Sequence, residues 1–263
     1  VTTLLLPVTS LWKREVLRFL RQPNRVMGAI GSPLLFWLLI GSGVGRSFRA
    51  PGSPEGSSYL DYIYPGTVIM ILLFTAIFST ISIIEDRKEG FLQSVLVSPA
   101  PRGAVVLGKI LGGTTLAFFQ AALFLALAPL IGVRFQWTTI LPLAGVLWLL
   151  AIALTGLGFF IAWRMQSVQG FHAIMNFLLI PLWLLSGALF PIAGAAVWMQ
   201  WLIRINPLTY GLDAVRGLLH PAVPGASGEL GLPLAVTVTA AFALAMFAAA
   251  SWAARGHTRG DLQ

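Results

Sequence analysis

Six stretches of this sequence, 26–45, 63–84, 104–132, 139–163, 171–190 and 232–253, run for a membrane's thickness with almost no charge. A helix needs about 20 mostly apolar residues to cross the hydrocarbon core, and within lipid every backbone polar group must be satisfied inside the helix itself. The pattern predicts an all-α integral membrane protein with six transmembrane helices. Composition agrees, since 57% of residues are hydrophobic and only 10% are charged, where a soluble domain carries roughly a quarter of its residues as charge. The third stretch is long for one crossing, and Pro129 is expected to kink it or to mark its exit from the bilayer.

The same composition removes whole classes of chemistry. The chain has no cysteine, which excludes disulfide frameworks, thiolate metal sites and cysteine nucleophiles. His172, His220 and His257 are scattered, without the close spacing of a metal site or a nucleophile and carboxylate placed beside them, so neither a metal centre nor an intramembrane hydrolase is expected. The net charge of +8 lies in short flanks of the apolar runs, where Lys and Arg meet anionic lipid headgroups. No basic face interleaved with aromatics suggests nucleic acid.

A transporter needs an energy source, and no GxxxxGK[ST] phosphate loop is present. The Gly-rich pieces at Gly41–Arg46 and Gly108–Thr114 lack the loop and the Lys-Ser/Thr pair. Gly41 with Gly45, and Gly108 with Gly112, have instead the small-xxx-small spacing that lets membrane helices approach closely. The middles of the six stretches hold no ionisable residue of the kind an ion-coupled carrier uses. Lys109, Arg164 and His172 lie near predicted ends, where long side chains snorkel towards water. Thr114, Thr115, Gln120, Thr155 and Asn176 are read as interhelical packing groups, with a path lining as the alternative.

Orientation follows from the basic residues, because positively charged loops stay on the cytoplasmic side. An inside N-terminus leaves Lys13, Arg14, Arg18, Arg21, Arg25, Arg87, Lys88, Arg102, Lys109, Arg164, Arg255 and Arg259 inside, against Arg46, Arg49, Arg134, Arg204 and Arg216 outside, twelve to five. Residues 1–25 do not read as a cleavable signal, because a full-length span follows the charged stretch. They are expected to form an interfacial helix with Trp12, Val16, Phe19 and Leu20 on one side and Arg14, Glu15, Arg18, Arg21 and Gln22 on the other. An ordinary basic anchor is the alternative. The organisation is thus 1–25 interfacial, 26–253 transmembrane and 254–263 a short cytoplasmic tail. The loops at Arg46–Asp61 and Pro221–Gly231 are read as extracytoplasmic connections.

Two polar segments stand out. EDRKEG, from Glu85 to Gly90, leads into FLQSVLVSPAPR, ending at Arg102. Phe91, Leu92, Val95 and Leu96 recur at helical spacing, and Pro99 with Pro101 stop the helix before the third span. It is a short helix that presents charge at one end and an apolar stripe to a partner or the membrane, or else a solvated connection. The second, VWMQWLIRINPLTYGLDAVRGLL from Val197 to Leu219, is too polar to span and too apolar for a free loop. Asn206 and Pro207 break it into two short helices, the first carrying Trp198 and Trp201 and the second Tyr210, Asp213 and Arg216. Their aromatic residues favour the membrane interface, as a bland hairpin or as an exit guard.

At these segments the chain resembles the permeases of type-2 ABC exporters, the group that contains drug, polysaccharide, teichoic acid and nodulation-factor exporters. The resemblance rests on EDRKEG running to LVSPAPR and then Gly108–Lys109, on YPG at Tyr64–Gly66, and on LFP followed by INPLTYGLDAVR within Leu189–Arg216. It covers nearly the whole chain. It implies both termini inside, an N-terminal interfacial helix (Trp12, Arg14, Glu15, Arg18) and a cytoplasmic coupling helix (Glu85, Asp86, Arg87, Lys88, Glu89, Gly90, Arg102). It also implies extracytoplasmic re-entrant helices (Asn206, Pro207, Tyr210, Asp213, Arg216). A second permease copy and two separate ATP-binding-cassette subunits complete such a transporter. The chain itself is then not an enzyme and holds no cofactor, with ATP and magnesium in the partner ATPase. The scarcity of deep charge suits an amphipathic, hydrophobic or lipid-linked substrate, with a polar glycan stacked on aromatics as the alternative. The rivals are an ion-coupled transporter or channel, and a non-transporting scaffold.

Overall fold

A computed structural model describes residues 2–44, 59–131, 136–219 and 230–256, and no strand occurs among them. The helices are α1 (Thr2–Leu20), α2 (Pro23–Val44), α3 (Tyr59–Ser79), α4 (Ile81–Lys88), α5 (Phe91–Val97), α6 (Arg102–Leu125), α7 (Trp137–Ala162), α8 (Val168–Leu184), α9 (Val197–Ile205), α10 (Pro207–Leu219) and α11 (Leu232–Arg255). The protein is an all-α membrane protein. Among the described residues four helical runs are long and apolar enough to cross a bilayer: Tyr59–Lys88, Arg102–Leu130, Trp137–Ala162 and Leu232–Arg255. Of the other two apolar stretches, 26–45 falls on α2, within which Pro33–Val44 is an apolar run, and 171–190 falls on the shorter apolar helix Val168–Leu184. The run over 171–190 therefore ends early. Pro181 sits in the last turn of α8, and Gly187 then takes φ 82°, a left-handed conformation that turns the chain away.

Helix α3 is the axis of the bundle. Its sequence is apolar all round, and such a helix must be covered on every side. Ile63, Val68, Ile69, Ile71, Leu72 and Leu73 are all fully buried, because α2, α6, α7 and α10 pack around them. One residue, Thr80, separates α3 from α4, and the two continue as one rod to Lys88. Helix α7 lies along α11, whose contact face is built from Ala235, Thr239, Ala243, Ala250 and Ala254. Small residues let two membrane helices approach closely and gain packing where lipid offers no hydrophobic drive.

Three hydrogen bonds from polar side chains tie helices together inside the bundle. Thr75 of α3 donates to Gln120 of α6, Trp183 Nε1 of α8 donates to Gly66 O of α3 at 2.7 Å, and Tyr64 Oη donates to Phe124 O at 2.7 Å. Thr114 and Thr155 are buried in the same core. Helix α6 ends at Leu125, and a single 3₁₀ turn over Ala128–Ile131 contains Pro129, so that proline marks the end of the helix rather than a kink within it.

The short elements follow their sequence signals. α5 spans Phe91–Val97, and Ser98 is already extended ahead of Pro99 and Pro101. α9 and α10 part at Asn206–Pro207. The two halves differ in setting. α9 buries only Ile203 and exposes Trp198, Trp201 and Ile205, whereas α10 packs against α7, α11 and α3 and buries most of its length.

Helix α1 docks lengthwise on α6, and its buried stripe is Val8, Leu11, Glu15 and Phe19. That corrects the expected division of its faces. Glu15, expected on the polar face, lies inside, while Trp12 and Leu20 of the expected apolar face are exposed. The reason is the partner surface. A Cβ added at Gly108 would stand 2.7 Å from Leu11 Cβ, and one at Gly112 would stand 2.6 Å from Glu15 Cβ. The two glycines form a groove that only a closely approaching helix fills. Gly41 likewise meets Leu60, and Gly45 lies outside the described residues.

Candidate functional site

Where α1, α4 and α6 meet, seven charged side chains come together, and the seed is Asp86. It stands in the last turns of α4 with no solvent exposure, a position that costs several kcal/mol unless cations compensate. Three do. Arg14 grips it bidentately, Nη2 to Oδ1 at 2.7 Å and Nη1 to Oδ2 at 3.0 Å. Arg18 Nη1 donates to Oδ1 at 2.9 Å, and the Lys109 ammonium donates to Oδ2.

Lys109 is nearly as deep as Asp86, and it closes the network by donating to Glu15 Oε1 at 2.6 Å and Ser82 Oγ at 3.2 Å. It does not snorkel to water as its place near a helix end suggested. α1 lies over it, and all three of its donors find oxygen acceptors within the protein. On the outer side Arg18 Nη2 reaches Glu85 at 2.9 Å and the exposed Glu89 at 3.4 Å. Burial, the strongest single influence on Arg14, pulls its pKa down, but the hydrogen bond to Asp86 and the charges of Asp86, Glu15 and Glu89 outweigh it and hold the guanidinium above its ordinary value.

The network fixes the base of the α4–α5 turn. Gly90 makes the turn with φ 76°, and the Glu89 and Gly90 amides close it by donating to Glu85 O at 2.9 Å and Arg87 O at 3.2 Å. Arg14 also stacks on the first residue of α5, its Cζ 3.7 Å from the Phe91 ring centre. Leu92 plugs into the bundle, while Lys88, Glu89, Ser94 and Val97 remain exposed. The outcome is a rigid root with an open edge.

The residues singled out in the sequence therefore separate by direction. Glu85, Asp86 and Glu89 face α1, meeting Arg14 and Arg18. Arg87 points away from them, donating to Met165 O at 2.8 Å and Trp163 O at 2.7 Å beyond the end of α7. Arg102 donates to Arg255 O at 2.7 Å at the end of α11. Trp12 stands apart, donating to Thr115 Oγ1 at 3.0 Å. Sequence reasoning left out Lys109, the hub. Its one signal was the Gly108–Lys109 pair, where the glycine admits the helix that covers the lysine.

Asn206, Pro207, Tyr210, Asp213 and Arg216 gather at the other end of the α3–α4 rod. Asn206 Nδ2 donates to Leu182 O at 2.6 Å and Leu185 O at 2.9 Å, while its Oδ1 accepts from Leu208 N at 2.9 Å, so one side chain caps α8 and starts α10. Pro207 opens α10, where its missing N–H is no loss. Tyr210 donates to Arg204 O at 2.9 Å. Arg216 donates to Gly187 O at 2.8 Å and lies 4.5 Å over the Tyr62 ring. Asp213 is buried on the same helix.

The carboxylates of the charged cluster are met by Arg and Lys, and among the described residues no group of three or more His, Cys, Asp or Glu is placed to hold a metal ion. What the arrangement offers is mechanical: a turn carried at the end of a long rod, clamped by ion pairs and open on one edge.

That layout, a bundle of apolar helices with an N-terminal helix clamped to the α4–α5 turn, defines an all-α membrane protein. Residues 7–220 match the family described as ABC-2 type transporter, and the chain belongs to that family. It is 27% identical over 219 residues to Nodulation protein J of Rhizobium leguminosarum bv. trifolii, covering 81% of this chain and 82% of that one. It is 26% identical to the Inner membrane transport permease YadH of Escherichia coli strain K12, covering 79% and 80%. To the Putative transport permease ycf38 of Cyanophora paradoxa it is 27% identical, covering 78% and 71%. The chain is a permease subunit of an ABC exporter, a class that works with an ATP-binding-cassette ATPase.

Proposed function

We propose that this chain crosses the bacterial inner membrane six times with both termini cytoplasmic, pairs with a second copy of itself to enclose the export path, and receives the ATPase at the α4–α5 turn. ATP and magnesium belong to that ATPase, and this chain has no hydrolytic site. The carrying observation is the turn itself. Its root is held by Asp86 within an ion network, and Lys88, Glu89, Ser94 and Val97 are presented on an open edge. A loop meant only to connect two spans has no need of so much buried charge at its base.

An amphipathic or lipid-linked substrate suits the surface. Among the described residues of the six apolar helices, ionised groups lie near the ends. An apolar crevice of about 270 Å³ between α6 and α7, lined by Phe118, Leu125, Ile140 and Leu147 among others, has room for hydrocarbon. The pairing with a second copy draws on the apolar outer faces of α2 (Leu35, Leu38, Leu39) and α8 (Ile174, Phe177, Ile180), which this chain leaves uncovered.

The test uses the natural absence of cysteine. A single Val97→Cys, carried on an exposed residue of α5, is expected to cross-link to the cognate ATPase in isolated membranes. Cross-linking only at cysteines placed on the far end of the bundle would sink the reading.

A further inference from the structure

Both ends of the α4–α5 segment are fastened to the C-terminal ends of other spanning helices, and each fastening is an arginine on backbone carbonyls. Arg87, in the last turn of α4, donates Nη1 to Met165 O at 2.8 Å and Nη2 to Trp163 O at 2.7 Å. Trp163 is the cap residue of α7. Arg102, the first residue of α6, donates Nη1 to Arg255 O at 2.7 Å and more weakly to Ala254 O at 3.4 Å, the closing residues of α11. The last carbonyls of a helix have no partner within it and carry partial negative charge, so a guanidinium is well suited to hold them.

A third arginine closes the figure. Arg164, one residue beyond Trp163, lies 4.1 Å over the Phe160 ring of α7 and 5.2 Å over the Trp252 ring of α11. The ends of α7 and α11 are thereby joined to each other as well as to the two ends of the turn. These contacts are separate from the Asp86 network, which ties the turn to α1 and α6.

We propose that Arg87, Arg102 and Arg164 form a positioning triangle through which displacement of the α4–α5 turn is passed to the paired helices α7 and α11. The proposal rests on the reading that the turn meets the ATPase, and it names where the stroke goes next. Along their length α7 and α11 both pack against α10, whose Arg216 holds the Gly187 carbonyl at the far end. A push at the turn therefore has a continuous route to the opposite face, bonded at its two ends and packed between them. The route is one of position, and none of the three arginines needs to touch the substrate.

The experiment uses the complete permease–ATPase complex in lipid nanodiscs with one of two reporters. Leu232→Cys, at the first residue of α11, reports far-end movement as the change in maleimide labelling rate between the nucleotide-free state and the state trapped with ATP and vanadate. Val97→Cys reports docking by cross-linking to the ATPase. Arg102→Ala and Arg164→Ala, both changes of accessible side chains, are expected to leave cross-linking and ATP hydrolysis in place. The nucleotide-dependent labelling change should fall about tenfold in Arg102→Ala, the scale set by losing one charge-assisted hydrogen bond, and about two- to fivefold in Arg164→Ala, which loses only exposed cation–π contacts. Arg102→Lys, which keeps a single donor group, should recover part of it, which mere loss of fold would not show. An intact cross-link with an undiminished labelling change in the Arg102→Ala, Arg164→Ala double variant overturns the triangle alone. Failure of Val97→Cys to cross-link with all three arginines in place overturns the docking reading instead.

Discussion

Arg14 lies 3.7 Å over the ring of Phe91 while both of its terminal nitrogens bond Asp86, so one side chain of α1 grips both limbs of the α4–α5 turn. The N-terminal helix is thus part of the turn's foundation. A helix that merely floated at the interface would have no reason to place an arginine between a buried acid and an aromatic ring. Its charge is also secure against pH. A group with a raised pKa gives its full contribution below its ordinary value, which for a guanidinium is already far above neutrality, and loses it only as pH rises past the still higher folded-state value. The grip of Arg14 is therefore expected to hold throughout the physiological range.

Lys109→Ala should be the most damaging single change in this cluster. It leaves Glu15 and Asp86 buried with one cation fewer, and breaking a buried ion pair from one side costs about 3–5 kcal/mol. Thermal unfolding in detergent should show a large downward shift. Lys109→Met combined with Glu15→Met should cost clearly less than the two single changes added together, because both charges then leave at once. Additive losses would show that the lysine and the glutamate do not depend on each other.

Gly112→Val tests the groove that brings α1 down onto α6. Its Cβ would fall 2.6 Å from Glu15 Cβ, so α1 must lift, at a cost of about 1–3 kcal/mol for overpacking. The check is a cysteine at Val8, only 8% exposed beneath α1, which should become reactive to maleimide when Gly112 is enlarged. Gly103→Val, at a position with nothing within 4 Å of an added Cβ, is the control and should leave it protected.

Gly90→Ala isolates the turn from everything around it. Only Gln93 Oε1, at 4.0 Å, lies near an added Cβ, so the penalty is the left-handed φ of 76° alone, about 1–2 kcal/mol. The unfolding temperature of the bundle should fall by only a few degrees, while Val97→Cys cross-linking to the ATPase weakens. An unchanged cross-link would mean that the turn tolerates another conformation.

The sequence announced an all-helical membrane bundle, and four of its six apolar stretches as helices of spanning length among the described residues, because lipid permits few alternatives to long uncharged runs, and it announced the Asn206–Pro207 break because a proline lacks the N–H that would continue the helix. The end of α5 at Ser98 was legible for the same reason. It could not announce the clamp. Asp86, Arg14 and Lys109 are distant along the chain, and each taken singly looks like an ordinary flanking charge. Whether Lys109 meets water or Glu15 depends on α1 lying across Gly108 and Gly112. Nor could helical spacing in α1 reveal that Glu15 faces inward, since its buried partner belongs to another helix.

Glu85, Asp86 and Glu89, which the family resemblance assigns to the coupling helix, bond Arg14 and Arg18 of the same chain. Reversing acids here should therefore first free α1. Glu85→Lys with Glu89→Lys avoids the buried Asp86 and turns two attractions to Arg18 into repulsions, each on the order of 1 kcal/mol at such partly exposed sites. A cysteine at Phe19, 8% exposed under the same helix, should react faster with maleimide in that double variant, in the permease without its ATPase. Adding Arg18→Glu should slow the reaction again in part, since it restores the pairing with Glu85 and Glu89 but opposes Asp86, which Arg18 also holds at 2.9 Å. If Phe19→Cys stays protected in the double variant while ATPase binding is lost, these two acids serve the partner and not the N-terminal helix.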